Sequence, residues 1–274
     1  MKRVINHLLI FMVIFIVYGG IFTLKKIAFN TQPAEEKIIY YYSIEEIYPW
    51  LYSIYDDLNN VYCYLLEGDK RALLFDTTLG SSNLHGAVRQ ITNKPVDVIL
   101  GHGHMEQAGG ASQIRAYLRS DVWLHKDDYD LYQHFFKSIR ILRKLSVGQI
   151  FNLGNLDIEV IGMEGHTAGS IGILVQDKHV LLTSDSASPH MWLSFEESLS
   201  LNQYIAMLEH TILLDFDTFF TGRDNTPLPR SYFQRLIDVA KNASVEESQS
   251  YRQRGVSTDA FHYQEDGINI YFKY

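Results

Sequence analysis

The chain has 274 residues, with 24 Lys and Arg against 32 Asp and Glu, giving a formal charge of −8 and a sequence pI near 5.7. That balance argues against a nucleic-acid partner, which calls for cations to meet phosphates, and 46% apolar with 13% aromatic residues excludes a disordered chain. A single cysteine, Cys63, excludes an internal disulfide and every Cys-rich metal motif, so any metal must be held by histidines and carboxylates.

Lys2 and Arg3 precede an uncharged run from Leu8 to Leu24, closed by Lys25 and Lys26. A helix of about seventeen residues reaches ~26 Å, close to the ~30 Å hydrocarbon core of a bilayer. The run ends at Gly19-Gly20-Ile21-Phe22-Thr23-Leu24 without a small-x-small cleavage site. Residues 1–26 therefore read as a single-pass anchor with the bulk of the chain outside the cytoplasm. A cleaved signal peptide and a secreted product form the competing reading. Residues 27–39 read as a short tether, and 40–274 as one domain without a Pro/Gly/Ser-rich linker or repeat.

Short β-type runs open that domain at Trp50–Ile54, Val61–Leu66 and Ala72–Phe75. A helix over His85–Ile91 and a strand over Val96–Leu100 follow. Ile114, Tyr117 and Leu118 space a helix starting past Gly109-Gly110. Val122–Leu124 reads as a strand, and Leu131, Phe135, Ile139 and Leu142 as one long amphipathic helix. Later strands are expected at Leu156–Ile161, Ser170–Val175, His179–Thr183 and Thr218–Thr221. Helices are expected around Tyr204–Thr211 and Tyr232–Ala240. Asp266-Gly267, between two β-type runs, is a type I′ hairpin signal. Strands cluster in each half with helices between and after, which points to an α/β domain of two sheets covered by helices.

The chemistry-bearing residues stand just past strand ends. His102-Gly103-His104 follows an apolar strand; in a continuing strand the two imidazoles face one side and can converge on an ion. His166 follows a second strand end, and Asp185 a third. Three imidazoles and a carboxylate from separate segments make a zinc set, whereas any one of them alone is more often an ordinary surface or core residue.

The order Asp76-Thr77-Thr78-x-Gly80, His102-x-His104-x-Glu106-Gln107-x-Gly109-Gly110, Gly165-His166-Thr167-x-Gly169-Ser170 and Ser184-Asp185 resembles the metallo-β-lactamase-fold superfamily. The resemblance spans Tyr40 to Gly222. It implies a four-layer αβ/βα sandwich of two mixed sheets, a metal site at the edge between them, usually zinc, and usually hydrolysis. By resemblance His102, His104, His166 and Asp185 serve the first metal. Three positions depart from the family pattern. Its Asp is Glu106, the following His is Gln107, and the last ligand His is Arg223. A neutral amide is a poor zinc ligand and a guanidinium has no lone pair to offer. One ion per chain is therefore expected, zinc by its three imidazoles, with iron as a smaller option.

The expectation for function is a membrane-anchored, single-zinc hydrolase of an unidentified small ester, thioester, lactone or phosphodiester. Glu106 or Asp185 would accept a proton, and Arg223 would stabilise negative charge. Glu106 reads equally as a plain salt-bridge partner of Arg223. Arg223 can also pair with Asp185, or grip an anionic substrate. The competing class is a catalytically inactive binding or structural module on the same fold. His190 reads as a loop histidine, Gln107 as a hydrogen-bonding filler, and Cys63 as a buried structural thiol.

Overall fold

The computed structural model describes residues 42–252 and 259–273. The candidate anchor and tether lie outside them. No helix among the described residues is long and apolar enough to cross a membrane.

The first half of the chain folds into one seven-stranded sheet in sequence order. Its strands are β1 (Tyr42–Tyr48), β2 (Leu51–Asp56), β3 (Val61–Glu67), β4 (Ala72–Phe75), β5 (Val96–Ile99), β6 (Val122–His125) and β7 (Leu142–Leu145). β1 to β4 pair antiparallel, and β4 to β7 pair parallel. β4 and β5 are buried at every position, as strands covered on both faces must be. The parallel crossovers carry α1 (Leu84–Ile91), the single turn α2 (Met105–Ala108), α3 (Ala111–Leu118) and α4 (Tyr129–Phe136). The Asn83 side chain caps α1 by accepting from the Gly86 N–H, satisfying one orphan donor of the first turn.

The second half builds a six-stranded sheet in the order β14-β13-β11-β10-β9-β8. These are β8 (Ile150–Asn152), β9 (Asp157–Gly162), β10 (Ile171–Val175), β11 (Val180–Leu182), β13 (Thr218–Phe220) and β14 (Leu228–Pro229). Its outer face packs under α5 (Leu201–Thr211) and α6 (Arg230–Asn242). Ser200 and Gln203 close a reciprocal capping box at the start of α5.

Three cores define the layering. Leu84, Val88, Ile114 and Tyr132 bury the first helices against the outer face of the first sheet. Leu66, Phe75 and Ile99 meet Val160, Ile173, Leu182 and Phe220 between the sheets. Leu181, Phe219, Tyr204, Leu208 and Phe233 fill the space under α5 and α6. A fully buried side chain of this size contributes ~1.5–3 kcal/mol. These interfaces therefore hold the sheets face to face with their strand ends along one edge.

Two expectations need correction. The hairpin joins a third sheet, in the order β12 (His190–Leu193), β17 (Ile268–Lys273), β16 (Ala260–Glu265) and β15 (Gln249–Tyr251). Two sheets are therefore not the whole architecture. The turn itself is as expected, with Asp266 and Gly267 at φ 50° and 78°, and it sets the hairpin register. The long helix over Leu131–Leu142 is the second correction. α4 stops at Phe136 because Lys137 turns into the left-handed region at φ 58°, and Leu142 pairs with Val122 as the first residue of β7.

Candidate metal centre

The three candidate histidines, Asp185 and Arg223 stand on loops at this shared edge, and Glu106 and Gln107 on the single turn α2. His102 and His104 follow β5, His166 follows β9, Asp185 follows β11 and Arg223 follows β13. Backbone bonds lock the loops together. Ile171 N–H donates to Gly101 O at 2.8 Å, Gly222 N–H to Ser184 O at 2.7 Å, and Leu199 N–H to Gly165 O at 2.8 Å.

The three imidazoles form a triangle with ring centroids 4.8–4.9 Å apart and planes nearly perpendicular. Their partners determine which nitrogens remain open. His166 donates Nδ1–H to the Trp192 carbonyl at 2.7 Å, which leaves a lone pair on Nε2. His104 donates Nε2–H to Glu197, which leaves a lone pair on Nδ1. These two lone pairs face each other at 3.0 Å. His102 approaches Ser184 Oγ through Nδ1 at 3.4 Å, and its buried Nε2 has no partner. Two opposed lone pairs repel unless a proton or a cation lies between them, and an orphaned buried nitrogen is costly. Three such nitrogens meeting at one point are what a metal ion satisfies, so the residues fit one.

Two of the three protonation states agree. Burial, then the neighbouring imidazoles, hold His102 well below its usual value. Burial and His104 bring His166 down to about 4. Burial opposes charge on His104 too, but the bond to Glu197 outweighs it and raises this one ring. The orphaned nitrogen of His102 and the neutral His166 ring offer lone pairs of the kind imidazole-preferring metals take, while the Glu197 bond favours a proton on His104 that an ion would displace.

The neighbouring position is built differently. Arg223 donates Nε–H to Asp185 Oδ2 at 3.1 Å, and its terminal nitrogen bonds both Asp185 Oδ2 and Glu106 Oε1, the latter at 3.3 Å. Gln107 Nε2 donates to Asp185 Oδ1 at 3.0 Å. Burial works against charge on Asp185, yet the Arg223 guanidinium and the histidine field hold it well below the usual carboxylate range. Both Asp185 oxygens are thus engaged by protein donors. His102, Glu106 and Asp185 offer ligand atoms within 4.8 Å of one another, as the three histidines do. In this second group, however, the positive charge is already supplied by Arg223.

Two supporting residues escaped sequence reasoning. Buried Asp128 accepts Gly103 N–H and the Thr167 hydroxyl through Oδ2, and Gly169 N–H through Oδ1, each at 2.8 Å. One carboxylate thereby ties the His102-His104 loop to the His166 loop. A Cβ on Gly169 would lie 2.6 Å from Asp128 Oδ1, so only glycine allows that approach. The other is Glu197, on the loop after β12, where Phe195 also packs edge-on to His104 and His166. Either carboxylate is a bare acid beside a second, exposed one in sequence, and nothing local distinguishes them.

His190, expected in a loop, is the exposed first residue of β12 and pairs with Asn269. It lines a cavity of about 410 Å³ together with Asn60, Glu106, His166, Trp192, Phe195 and Arg223. A larger groove of about 610 Å³ lies between β9 and α5, lined by Glu164, Gln203 and His210 among others but by none of the three clustered histidines. Cys63 is buried in the core, as expected.

Two mixed sheets between helices, with a histidine cluster on their common edge, define the class of fold. The sequence profile of the metallo-beta-lactamase superfamily matches residues 56–232, so the chain belongs to that superfamily. It is 22% identical over 137 residues to hydroxyacylglutathione hydrolase GloC of Haemophilus influenzae, covering 45% of this chain and 65% of that protein. The chain thus spans less than two thirds of that relative. It is also 22% identical over 198 residues to human acyl-coenzyme A thioesterase MBLAC2, covering 58% of this chain and 70% of the human protein. A metallo-beta-lactamase from Pontibacter korlensis superposes with a TM-score of 0.61 at 14% identity, covering 74% of this chain and 100% of that one. That likeness is one of fold.

Proposed function

We propose that this chain is a single-metal hydrolase of acyl thioesters or esters, with the ion held by His102, His104 and His166 beside Asp185. The carrying observation is the contrast between adjacent positions. Three histidine nitrogens converge at the first, one without a partner and two facing each other, while Arg223 and Gln107 fill the second. Zinc suits three imidazoles best, and iron is the alternative. Such an ion, when bound, polarises a carbonyl oxygen and brings the pKa of a water toward ~7.

The remaining work falls to the chain. Glu106 lines the cavity with its side chain about a third exposed, so it takes the proton from the attacking water. Asp185 is a poor base because Arg223 and Gln107 occupy its oxygens. Its part is to anchor Arg223. The guanidinium reaches the cavity rim and faces developing negative charge there. Trp192 and Phe195 give the same cavity an apolar wall, which suits an acyl group. The activities named for the bacterial hydrolase and the human thioesterase point the same way.

The test combines metal analysis with hydrolysis of thioester, ester and phosphodiester probes. One metal per chain and thioester cleavage lost in Glu106→Gln are expected. Two tightly held ions after dialysis, or no turnover of any probe with the metal bound, would reject the reading. The second of those results would favour the inactive binding module. We also propose that the Leu8–Leu24 run anchors the chain in a membrane, with the domain outside the cytoplasm. Full-length protein should then resist alkaline extraction from membranes, whereas a soluble product starting near residue 25–30 would indicate a cleaved signal.

A further inference from the structure

The third sheet carries a row of aromatic rings that ends at the metal-site cavity. Trp192 on β12 stacks on Tyr271 of β17, with centroids 3.9 Å apart and planes 5° from parallel. Tyr271 stacks in turn on His262 of β16 at 4.4 Å and 7°. The row follows the strand register, in which Trp192 lies opposite Tyr271 and Tyr271 opposite His262. His262 is fixed at the far end by Nε2 to Asn269 Oδ1 at 2.9 Å. Tyr251 of β15 braces the stack from the side, 4.7 Å from Tyr271 and 5.9 Å from Trp192. A ring held this way has lost its rotamer freedom before any ligand arrives.

Trp192 is also the residue whose backbone carbonyl accepts from His166 Nδ1. Its position relative to the histidine cluster is therefore set through one hydrogen bond. Among the described residues β12 is the edge of its sheet, so Tyr271 covers one face of the indole and no described strand lies beyond the other. Trp192 lines the cavity, with Phe195 adding a second aromatic wall. Asn60, Glu106 and Arg223 are the polar side of the same cavity. A rigid flat apolar wall facing a polar one, beside a hydrolytic centre, selects on the acyl group.

We propose that Trp192, braced by Tyr271 and His262, is the acyl-binding face of the site, and that the substrate is a neutral acyl thioester or ester with a flat unsaturated or aromatic acyl group. This substrate class rests on the hydrolase reading above. Trp192 touches the acyl group, and Tyr271 acts through Trp192 as a positioning residue.

The test uses phenylacetyl and cyclohexylacetyl thioesters of N-acetylcysteamine, which differ in ring flatness and share their leaving group. The ratio of their kcat/KM values is compared among wild type, Trp192→Leu, Tyr271→Leu and Tyr271→Phe, each verified for metal content. The ratio should fall about three- to tenfold in Trp192→Leu. It should fall less in Tyr271→Leu and recover in Tyr271→Phe, which keeps the stack. In parallel, saturation-transfer NMR follows 2-acetonaphthone, a flat ketone that cannot be hydrolysed, on wild type and Trp192→Leu. Where thioesters turn over, an unchanged ratio in Trp192→Leu overturns the acyl-binding face and leaves the hydrolase standing. Where nothing turns over, the hydrolase reading fails and the ketone decides the aromatic site alone. Binding lost in Trp192→Leu supports the site, and equal or absent binding in both proteins overturns it.

Discussion

Replacing Arg223 by Met isolates its charge, since the apolar stem is retained while the guanidinium is lost. In wild type the guanidinium meets Asp185, whose side chain is only 5% exposed, and also reaches Glu106, about a third exposed. The Glu106 arm is a solvated pair worth at most ~1 kcal/mol. Removing the partner of a buried carboxylate costs ~3–5 kcal/mol, and the partial exposure of Arg223 places this case near 3. The pH dependence follows from the same pair. Wild-type Asp185 is held below the carboxylate range, so its stabilisation is present above about pH 4 and lost only as pH falls further. Between pH 5 and 8 this contribution is flat. Without Arg223, burial is the leading influence and Asp185 binds a proton more tightly folded than unfolded. Stability of the variant then declines as pH rises. Urea unfolding of chelator-treated wild type and Arg223→Met at pH 5 and pH 8 measures both effects. The variant should be less stable by about 3 kcal/mol at pH 8 and by clearly less at pH 5. A difference below ~0.5 kcal/mol, or one that does not change with pH, would refute charge replacement by Arg223.

Asp128→Asn replaces one acceptor oxygen by an NH2 donor that faces other donors, so the variant should lose ~2–3 kcal/mol by denaturation and bind metal more weakly as the two histidine loops separate. Glu197→Ala should lower metal affinity about ten- to a hundredfold in competition with a chromophoric chelator, since the carboxylate orients His104; unchanged affinity would count against that role. Buried Asp76 is pushed up to about 8 by burial, against Gly101 N–H and Ser184, so its folded form holds a proton that the unfolded chain releases near pH 4. Metal-free wild type should therefore lose stability as pH rises from 4 to 8, and Asp76→Asn, which keeps the acceptor toward Gly101, should flatten that slope in urea titrations.

What could be read in advance follows a physical division. Ala72–Phe75 announced itself as a strand because all four side chains are apolar and all four are buried. The face of α6 did so because Phe233, Leu236, Ile237 and Ala240 follow the helical repeat and enter one core. The histidine motifs were legible because glycines beside them mark places where backbone must approach closely. Leu142 misled because apolar spacing continues smoothly from α4, while the terminator is Lys137, a residue without a Gly or Asn signature. β12 and β15 were hidden because each owes its existence to the distant hairpin, through pairings such as His190 with Asn269 and Ser250 with Phe261. Asp128 is buried and Asp127 beside it is 42% exposed, a difference set entirely by what lies across the fold.

The three departures from the family pattern make physical sense only together. Gln107 presents Nε2 to Asp185 Oδ1 and to the Gly222 carbonyl at 3.4 Å, so the atoms facing that nitrogen are oxygens and the amide must point its donor there. Arg223 then takes Asp185 Oδ2, and Glu106 receives the rest of the guanidinium. Gly222 leaves room for this arrangement, since a Cβ there would lie 2.4 Å from Gln107 Nε2 and 2.6 Å from Asp185 Oδ1. Reverting Gln107 alone to histidine would leave the guanidinium in place to repel a second ion. Reverting Arg223 alone would leave the amide donor on Asp185 Oδ1. A second ion therefore requires both reversions at once, while the three histidine nitrogens beside them, each positioned by its own partner in Ser184, Glu197 or Trp192, are untouched by either. One position of the site has its positive charge supplied by a side chain, and the other presents three converging imidazoles.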